Sequence, residues 1–409
     1  EHAFLWKLAQ SPRVNQIFVT QGNAGINRIA TPLDCDPEDI EAIIRHTRDD
    51  GINFVMSGPE GPYAAGLVDA ADEAFKSYRE DLRPIFFGPT QAAARIESSK
   101  IWAAEFNKRW GIPQPDYIFG NTKAEVISKM RTKPWRGYAV KVDELDGGKG
   151  VVVEDTWERA YLAIDNFMIE HIHGPKVGNA MVVQEKLVGQ ELTVMALVDK
   201  NGTYALFLPS VDYKALAGKN TGGMGAFAPA RVATPRDMDE IHNVFQRAID
   251  GMKKEGYPFS GILYSGFMLT NDGPKVLEWN CRGGDPEIEA TLPLFRDDFD
   301  LLGSLISCVY GRLLRNQFLY RSGLSAVAVV LASQGYPDNP RIGEVINGLD
   351  KDYGPNILLF HSGTKNENGH TMTDGGRVLT IAATAPLFRQ ARDLAYLVIG
   401  EKGIHFNGM

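Results

Sequence analysis

The sequence predicts a multidomain protein of mixed α/β and α+β class, and three observations lead there. At 409 residues the chain has room for two to four domains of roughly 150 residues each. Short β-rich runs alternate with helical patterns through the first hundred residues, which predicts an N-terminal doubly wound parallel sheet with ligands beyond the carboxyl ends of its strands. From Glu191 onward hairpin turns replace that alternation, so the later strands are expected to pair antiparallel.

Each element has its own signal. Phe4, Leu5 and Leu8 fall on one face of a helix over Glu1 to Gln10. With no initiator methionine, the chain reads as a fragment that begins inside this helix. Gln16 to Thr20 is a short β-rich run. Asp36 is expected to cap a helix with Pro37 at its first position, Ile40, Ile43 and Ile44 as its apolar stripe and Gly51 as its stop. Ile52 to Met56 reads as a strand, Tyr63 to Tyr78 as a helix, and Ile85 to Phe87 as a second strand ending at Gly88-Pro89. Gly22 to Gly25 and Gly58 to Glu60 then lie at a binding edge.

After a helix from Ser99 to Trp110, the run Gly111-Ile112-Pro113-Gln114-Pro115 marks a boundary. Tyr138 to Val142 and Val151 to Val153 are strands around a glycine-rich loop, followed by a helix to about His171 and a strand at Ala180 to Glu185. Two hairpins come next: Glu191 to Val198 with Thr203 to Leu208, and Gly261 to Thr270 with Lys275 to Asn280 through Asn271-Asp272-Gly273. Thr234-Pro235 opens a helix between them. The last ninety or so residues hold strands at Ala326 to Ala332, Ile357 to His361 and Arg377 to Ala382, then a helix from Leu387.

Composition narrows the function. Hydrophobic residues at 44% and charged ones at 23% exclude disordered, collagen-like and coiled-coil classes. Forty-three basic against fifty-one acidic side chains give a net charge of −8, so neither nucleic acid nor an anionic membrane is the natural partner, and an anionic substrate must be held locally. The longest apolar run, Leu324 to Ala332, is far short of the ~20 residues that span a bilayer. Cys35, Cys281 and Cys308 lie too far apart for metal knuckles or a disulfide framework, which fits a reducing, cytoplasmic setting. There is no His-Glu-x-x-His zinc signature, no Gly-x-Ser-x-Gly elbow and no kinase His-Arg-Asp element.

Three constellations carry chemistry. The loop Asp143 to Gly150 sits between strands; its glycines let backbone N–H groups approach phosphate oxygens while Lys149 supplies charge, although a plain flexible hairpin reads the same way. It is not a Walker A loop, since no Ser or Thr follows Lys149. Lys141, at the end of the preceding strand, could face the same phosphates. Glu278 and Asn280 are two apart in a strand and so share a face, which offers oxygen ligands to a magnesium ion or merely the polar side of an amphipathic strand. Arg282, two residues on, can clamp a carboxylate or an acyl phosphate. Asn220 to Gly225 is rich in glycine, which signals close approach to a ligand or a special turn.

Taken together, the ordered elements Glu1-His2-Ala3, Gly22-Asn23-Ala24-Gly25, Gly58-Pro59-Glu60, Gly88-Pro89-Thr90, Ser99-Lys100, the lysine loop, Asn220 to Gly225, Glu278 to Arg282 and Gly284-Asp285-Pro286-Glu287 resemble the glycinamide ribonucleotide synthetases, phosphoribosylamine-glycine ligases of the ATP-grasp superfamily. The resemblance runs over essentially the whole chain, through Leu331 to Pro337 and Gly375 to Thr380. That family usually has a strand and glycine-rich turn before the Glu-His-Ala element and continues beyond Met409, so short segments are expected to be missing at both ends.

The resemblance implies residues 1–98 as an N-terminal domain lacking its first strand, 99–318 as an ATP-grasp domain with a flap at about 119–187, and 319–409 as a small mixed α/β C-terminal domain. It implies ATP-driven ligation of glycine to 5-phosphoribosylamine in de novo purine biosynthesis, with Mg²⁺ or Mn²⁺, by a cytoplasmic monomer or weak dimer. Lys100, Lys141 and Lys149 would contact ATP phosphates, Gln184 and Leu187 the adenine, and Glu191 the ribose. Glu278 and Asn280 would bind the metal. Catalysis would involve Arg282, Lys149 and Asp212. Asn23, Gly25, Pro59, Glu60, Asp212 and Lys214 would surround phosphoribosylamine; Asn220, Gly222, Gly223, Arg282, Gly284 and Asp285 would complete the substrate pocket. Two departures stand out: Glu144 and Asp146 add carboxylates to the flap, and Lys219 replaces the usual proline. Another ATP-grasp carboxylate-amine ligase, a nucleotide-binding regulator without turnover, and a dinucleotide-dependent oxidoreductase are the alternatives.

Overall fold

The structure, a computed structural model, describes residues 1–143, 150–170, 180–216 and 219–409. Near the N-terminus, Phe18–Val19 pairs with Thr31–Pro32 and Phe54–Met56 with Ile85–Phe87, both parallel and both as two-stranded ladders. The expected parallel pairing is present, in two short pieces. Two boundaries differ from the sequence reading. The helix Ile40–Asp49 is capped by Asp39, whose carboxylate accepts from Ala42 N–H, while Asp36 accepts from Glu38 N–H in the turn before it. The helix read as Tyr63 to Tyr78 is two, Gly61–Ala64 and Leu67–Phe75, because Gly66 between them takes φ +93°, a left-handed conformation that breaks the helical ladder.

Among the described residues three larger antiparallel sheets make up most of the rest, beside two two-stranded antiparallel ladders, Ala215–Leu216 with Lys219–Asn220 and Thr364–Glu367 with His370–Thr373. The first runs in the order Tyr117–Gly120, Met181–Glu185, Tyr138–Val142, Val151–Glu154. The helices Lys123–Met130 and Trp157–Met168 cover it around Val126, Met130, Val140, Ile164 and Phe167. The second orders Tyr204–Leu206, Gln190–Val198, Gly261–Thr270 and Gly273–Asn280. One face of it packs on the helix Pro235–Lys254, opened by a capping box between Thr234 and Asp237, in a core that includes Phe245, Phe267 and Trp279. The third orders Val211–Asp212, Gly225–Ala228, Ser325–Ala332, Arg377–Ala385 and Ile357–His361. It therefore draws strands from both sides of residue 318 and brings Asp212 and Gly225 beside the C-terminal segment.

One irregularity shapes the site. In the hairpin Gly261–Thr270 with Gly273–Asn280, Gly266 faces Glu278 while Phe267 faces Val276, so Leu277 is the extra residue of a β-bulge. Val276 and Trp279 stay in the core, and Glu278 and Asn280 turn together to the other face. Among the described residues no helix is long and apolar enough to cross a membrane.

Candidate active site

The three sheets and the N-terminal segment meet around a cavity of about 570 Å³. Lys100 enters it from the first turn of the helix Lys100–Arg109, whose N-cap Ser99 accepts from Trp102 N–H. Lys141 comes from the first sheet, on the strand Tyr138–Val142, and donates to the carbonyl of Leu277, the residue the bulge leaves without a cross-strand partner, at 2.8 Å. Burial pushes its ammonium down to about 8.

At one end of the cavity, Gln184 faces both Tyr117 and Ala139 in the first sheet. Glu185 N–H donates to Asp116 at 2.8 Å and Lys186 N–H to Gly137 at 3.0 Å, after which the chain leaves the sheet and Leu187 meets the cavity. The Oε1 of Gln184 is buried without a hydrogen-bond partner among the described residues. Glu191 lies further along the wall, its carboxyl raised by burial in spite of Lys214.

At the other end, Glu278 and Asn280 both line the cavity. Lys214 Nζ lies 3.1 Å from Glu278 Oε1 and 3.6 Å from Asp212 Oδ2. That ammonium, above all, holds the Glu278 carboxyl down to about 2, so it is ionised at any physiological pH. Asp212 is buried, and burial raises it above the usual carboxylate range. A carboxylate and an amide oxygen on one face are donors for a hard divalent cation. Among the described residues no group of three or more His, Cys, Asp or Glu side chains could hold a metal, so a cation on this pair would take its remaining ligands from water or a bound substrate.

Arg282 donates from Nε to Glu60 Oε2 at 2.8 Å and from Nη1 to the Gly283 carbonyl at 3.2 Å, with Glu97 Oε1 3.5 Å from Nη2. Burial works against charge on Glu60, yet Arg282 keeps it below its ordinary range. Pro59, Asn220, Gly222, Gly284 and Asp285 also reach the cavity. At Gly284 a Cβ would fall 2.6 Å from Glu287 Oε2, so any side chain there would displace that carboxylate.

Three expected residues do not line it. Asn23 spends its side chain on the fold: Oδ1 accepts from Gly25 and Ile26 N–H, and Nδ2 donates to the His361 carbonyl at 2.8 Å. Gly25 lies against two imidazoles, where a Cβ would come 2.4 Å from His2 and 2.6 Å from His361. Gly223 has φ +115° and packs on Pro286, so the Asn220 to Gly225 run is ligand-facing at Gly222 and a special turn at Gly223. Lys149, with Glu144 and Asp146, lies outside the described residues. Lys219 pairs with Asp338.

The structure adds residues that sequence reasoning missed. Arg377 donates from Nη1 to the carbonyls of Gly222 and Asp285 and to Asp285 Oδ1, at 2.9, 2.8 and 3.0 Å. Glu287 is buried, accepts from the hydroxyls of Tyr264 and Thr193 at 2.9 and 3.1 Å, and is raised by burial to about 7. Burial raises Glu97 to about 7 as well. Glu287 and Arg377 sat inside quoted motifs; Glu97 carried only its place two residues before Ser99.

Family models match nearly the whole chain: the N domain of phosphoribosylglycinamide synthetase over residues 1–97, its ATP-grasp (A) domain over 98–288 and its C domain over 326–409. The chain belongs to the phosphoribosylglycinamide synthetase family. A phosphoribosylamine–glycine ligase of Nostoc is 37% identical over 418 residues, covering 100% of this chain and 95% of that protein. The trifunctional purine biosynthetic protein adenosine-3 of Drosophila melanogaster is 38% identical over 420 residues, and there the chain spans 30% of the relative's length. The crystal structure of phosphoribosylamine–glycine ligase from Thermotoga maritima superposes with a TM-score of 0.82 at 30% identity, covering 100% of this chain and 95% of that one. Family membership makes this an ATP-grasp ligase fold, and the oxidoreductase alternative falls away.

Proposed function

We propose that the chain ligates glycine to 5-phosphoribosylamine at the expense of ATP, in the cytoplasm, as a step of de novo purine biosynthesis. The observation that carries this reading is the convergence on one cavity of the oxygen pair Glu278 and Asn280, the ammonium groups of Lys100 and Lys141, and the guanidinium of Arg282. That set suits a triphosphate and a small carboxylate held side by side. On this reading residues 1–98, 99–318 and 319–409 are the domains, with a flap at about 119–187, and the protein is a monomer or weak dimer.

A carboxylate is a poor electrophile because its leaving group would be oxide. A glycine carboxylate oxygen attacks the γ-phosphorus of ATP, ADP leaves, and glycyl phosphate forms. The amine of phosphoribosylamine then attacks the acyl carbon, phosphate leaves with the C–O bond electrons, and the nitrogen loses a proton. Lys100, Lys141 and Lys149 are assigned to the phosphate oxygens and Arg282 to the glycine carboxylate, so that positioning and charge carry the rate. Gln184 and Leu187 take the adenine; the orphaned Gln184 Oε1 suits its exocyclic amine. Glu191 takes the ribose hydroxyls. Glu278 and Asn280 would hold Mg²⁺ or Mn²⁺, which when bound neutralises charge crowded at the γ-phosphate. Asp212, raised by burial, is suited to accept the amine proton. Pro59, Glu60, Asp212 and Lys214 face phosphoribosylamine, with Asn23, Gly25 and Gly223 shaping that wall from behind; Asn220, Gly222, Gly284 and Asp285 enclose glycine.

The test is ADP release with glycine and freshly generated phosphoribosylamine, against mixtures lacking either. Release that needs both is expected. Equal release in all three mixtures would refute the assignment.

A further inference from the structure

We propose that Glu97 is a positioning residue for the substrate carboxylate, acting through Arg282 and through the chain that joins Arg282 to Asn280. This rests on the reading that Arg282 meets the glycine carboxylate. Glu97 stands one residue before the end of the helix Gln91–Ser98, and only 7% of it is exposed. A buried carboxylate must be paired or well hydrogen-bonded, and where its two oxygens go says what it holds in place.

One oxygen, Oε2, accepts from the backbone N–H of Cys281 at 2.7 Å and from its thiol at 3.0 Å. The other, Oε1, lies 3.5 Å from Arg282 Nη2. Cys281 is the single residue between Asn280, a proposed cation ligand, and Arg282. One carboxylate therefore fixes both the backbone link and the guanidinium head, and so sets the spacing between the cation and the group that receives the carboxylate to be phosphorylated.

Glu60 holds the guanidinium from a second side at Nε. With another hydrogen bond to the Gly283 carbonyl, two of the five N–H groups of Arg282 are committed. The remaining three are on the terminal nitrogens. A guanidinium anchored at its Nε edge and backed by Glu97 has lost most of its rotamer freedom before substrate arrives, and a displacement near 1 Å is enough to cost about a hundredfold in rate.

A purely structural tie between helix and strand would make a different prediction from a positioning role. Glu97→Gln keeps an oxygen for Cys281 N–H but removes the carboxylate behind Arg282, and the comparison is made at pH 8, above the value of about 7 to which burial raises Glu97. Its KM for glycine is expected to rise about tenfold or more, with KM for ATP within about twofold of wild type. Glu97→Asp restores the charge one methylene short, and is expected to recover part of the glycine affinity. A glycine KM within twofold of wild type in Glu97→Gln overturns the proposal, as does a parallel rise in both KM values with a lowered melting temperature. If Glu97→Gln does not fold, Glu97→Asp carries the test: a glycine KM raised severalfold at constant ATP KM supports the role, and an unmoved one refutes it. Arg282→Lys in the same assay separates the two readings. An unchanged glycine KM there sinks the assignment of Arg282 itself, whereas a large rise with no effect at Glu97 sinks only the present inference.

Discussion

Glu278→Gln is the sharpest perturbation, because the amide matches the carboxylate in size and differs in charge. Its cost to the fold can be worked from the Lys214 pair. At 3.1 Å and an effective dielectric of ~20, the Coulomb attraction is about 5 kcal/mol. Water in the open cavity screens it, and Lys214 keeps Asp212 at 3.6 Å, so the net loss is roughly 1–2 kcal/mol. In a chain of this size that moves the melting temperature by a few degrees at most. The cost to catalysis is larger. If Glu278 is the charged ligand of the cation, its loss removes transition-state stabilisation of about 4 kcal/mol, or about a thousandfold in kcat. The assay is ADP release against Mg²⁺ concentration, beside a thermal melt. The variant should fold, need more Mg²⁺, and turn over about a thousandfold more slowly. A kcat within tenfold of wild type at the same Mg²⁺ would refute the metal assignment, and a melting temperature lowered by ten degrees or so would show that the ion pair matters mainly to the fold.

Lys141 gives a pH signature. Burial places its ammonium near 8, so it is charged below that pH and neutral above it; an arriving phosphate favours the charged form. ADP should therefore bind more weakly as pH rises through about 8, with proton uptake above it, and Lys141→Arg should flatten the dependence; calorimetry in buffers of different ionisation heat measures both. Arg377→Ala strips a cation from two backbone carbonyls and a carboxylate, at roughly 1.5–3 kcal/mol for each charged hydrogen bond and less than the sum for all three. Urea unfolding should show a loss of about 3–5 kcal/mol, and an unchanged midpoint would mean the two glycine loops are held in place by other contacts.

How much of this was legible in the sequence depended on the range of the interactions. Turn and cap chemistry is local, so the hairpin at Asn271-Asp272-Gly273 and the Thr234 cap were readable within a residue or two. The period of two in a strand placed Glu278 beside Asn280 without any tertiary information, and both line the cavity. Local rules failed where two residues competed or one glycine interrupted a pattern. Asp36 and Asp39 are both competent caps, and only the geometry selects Asp39. The periodicity over Tyr63 to Tyr78 runs through Gly66 as if it were absent. Long-range partners left no local trace: Glu97 meets Cys281 across 184 positions, and Arg377 reaches Gly222 across 155. The glycines of the Asn220 to Gly225 run could be flagged, but which of them faces the cavity and which packs on Pro286 is decided by a chain segment sixty or so residues later.

The charge arrangement explains how an acidic chain can hold a polyanion. A net charge of −8 repels triphosphate at a distance, and the cavity itself carries more than cations: Glu60, Glu97, Asp212 and Glu278 stand among them. Here the acids hold the cations in position. Lys214 rests between Glu278 and Asp212, and Arg282 between Glu60 and Glu97, each pinned by two carboxylates from different parts of the chain. Pinning costs affinity for an anion but saves the entropy of ordering long side chains when substrate binds. The exchange makes sense if rate depends on where charge sits more than on how tightly ATP is bound, because only interactions stronger in the transition state than in the ground state accelerate the step. Removing Glu60 or Glu97, the acids that back Arg282 rather than meet the cation, should then damage turnover while leaving nucleotide binding intact or even tighter. A site built only to store nucleotide would show the opposite pattern.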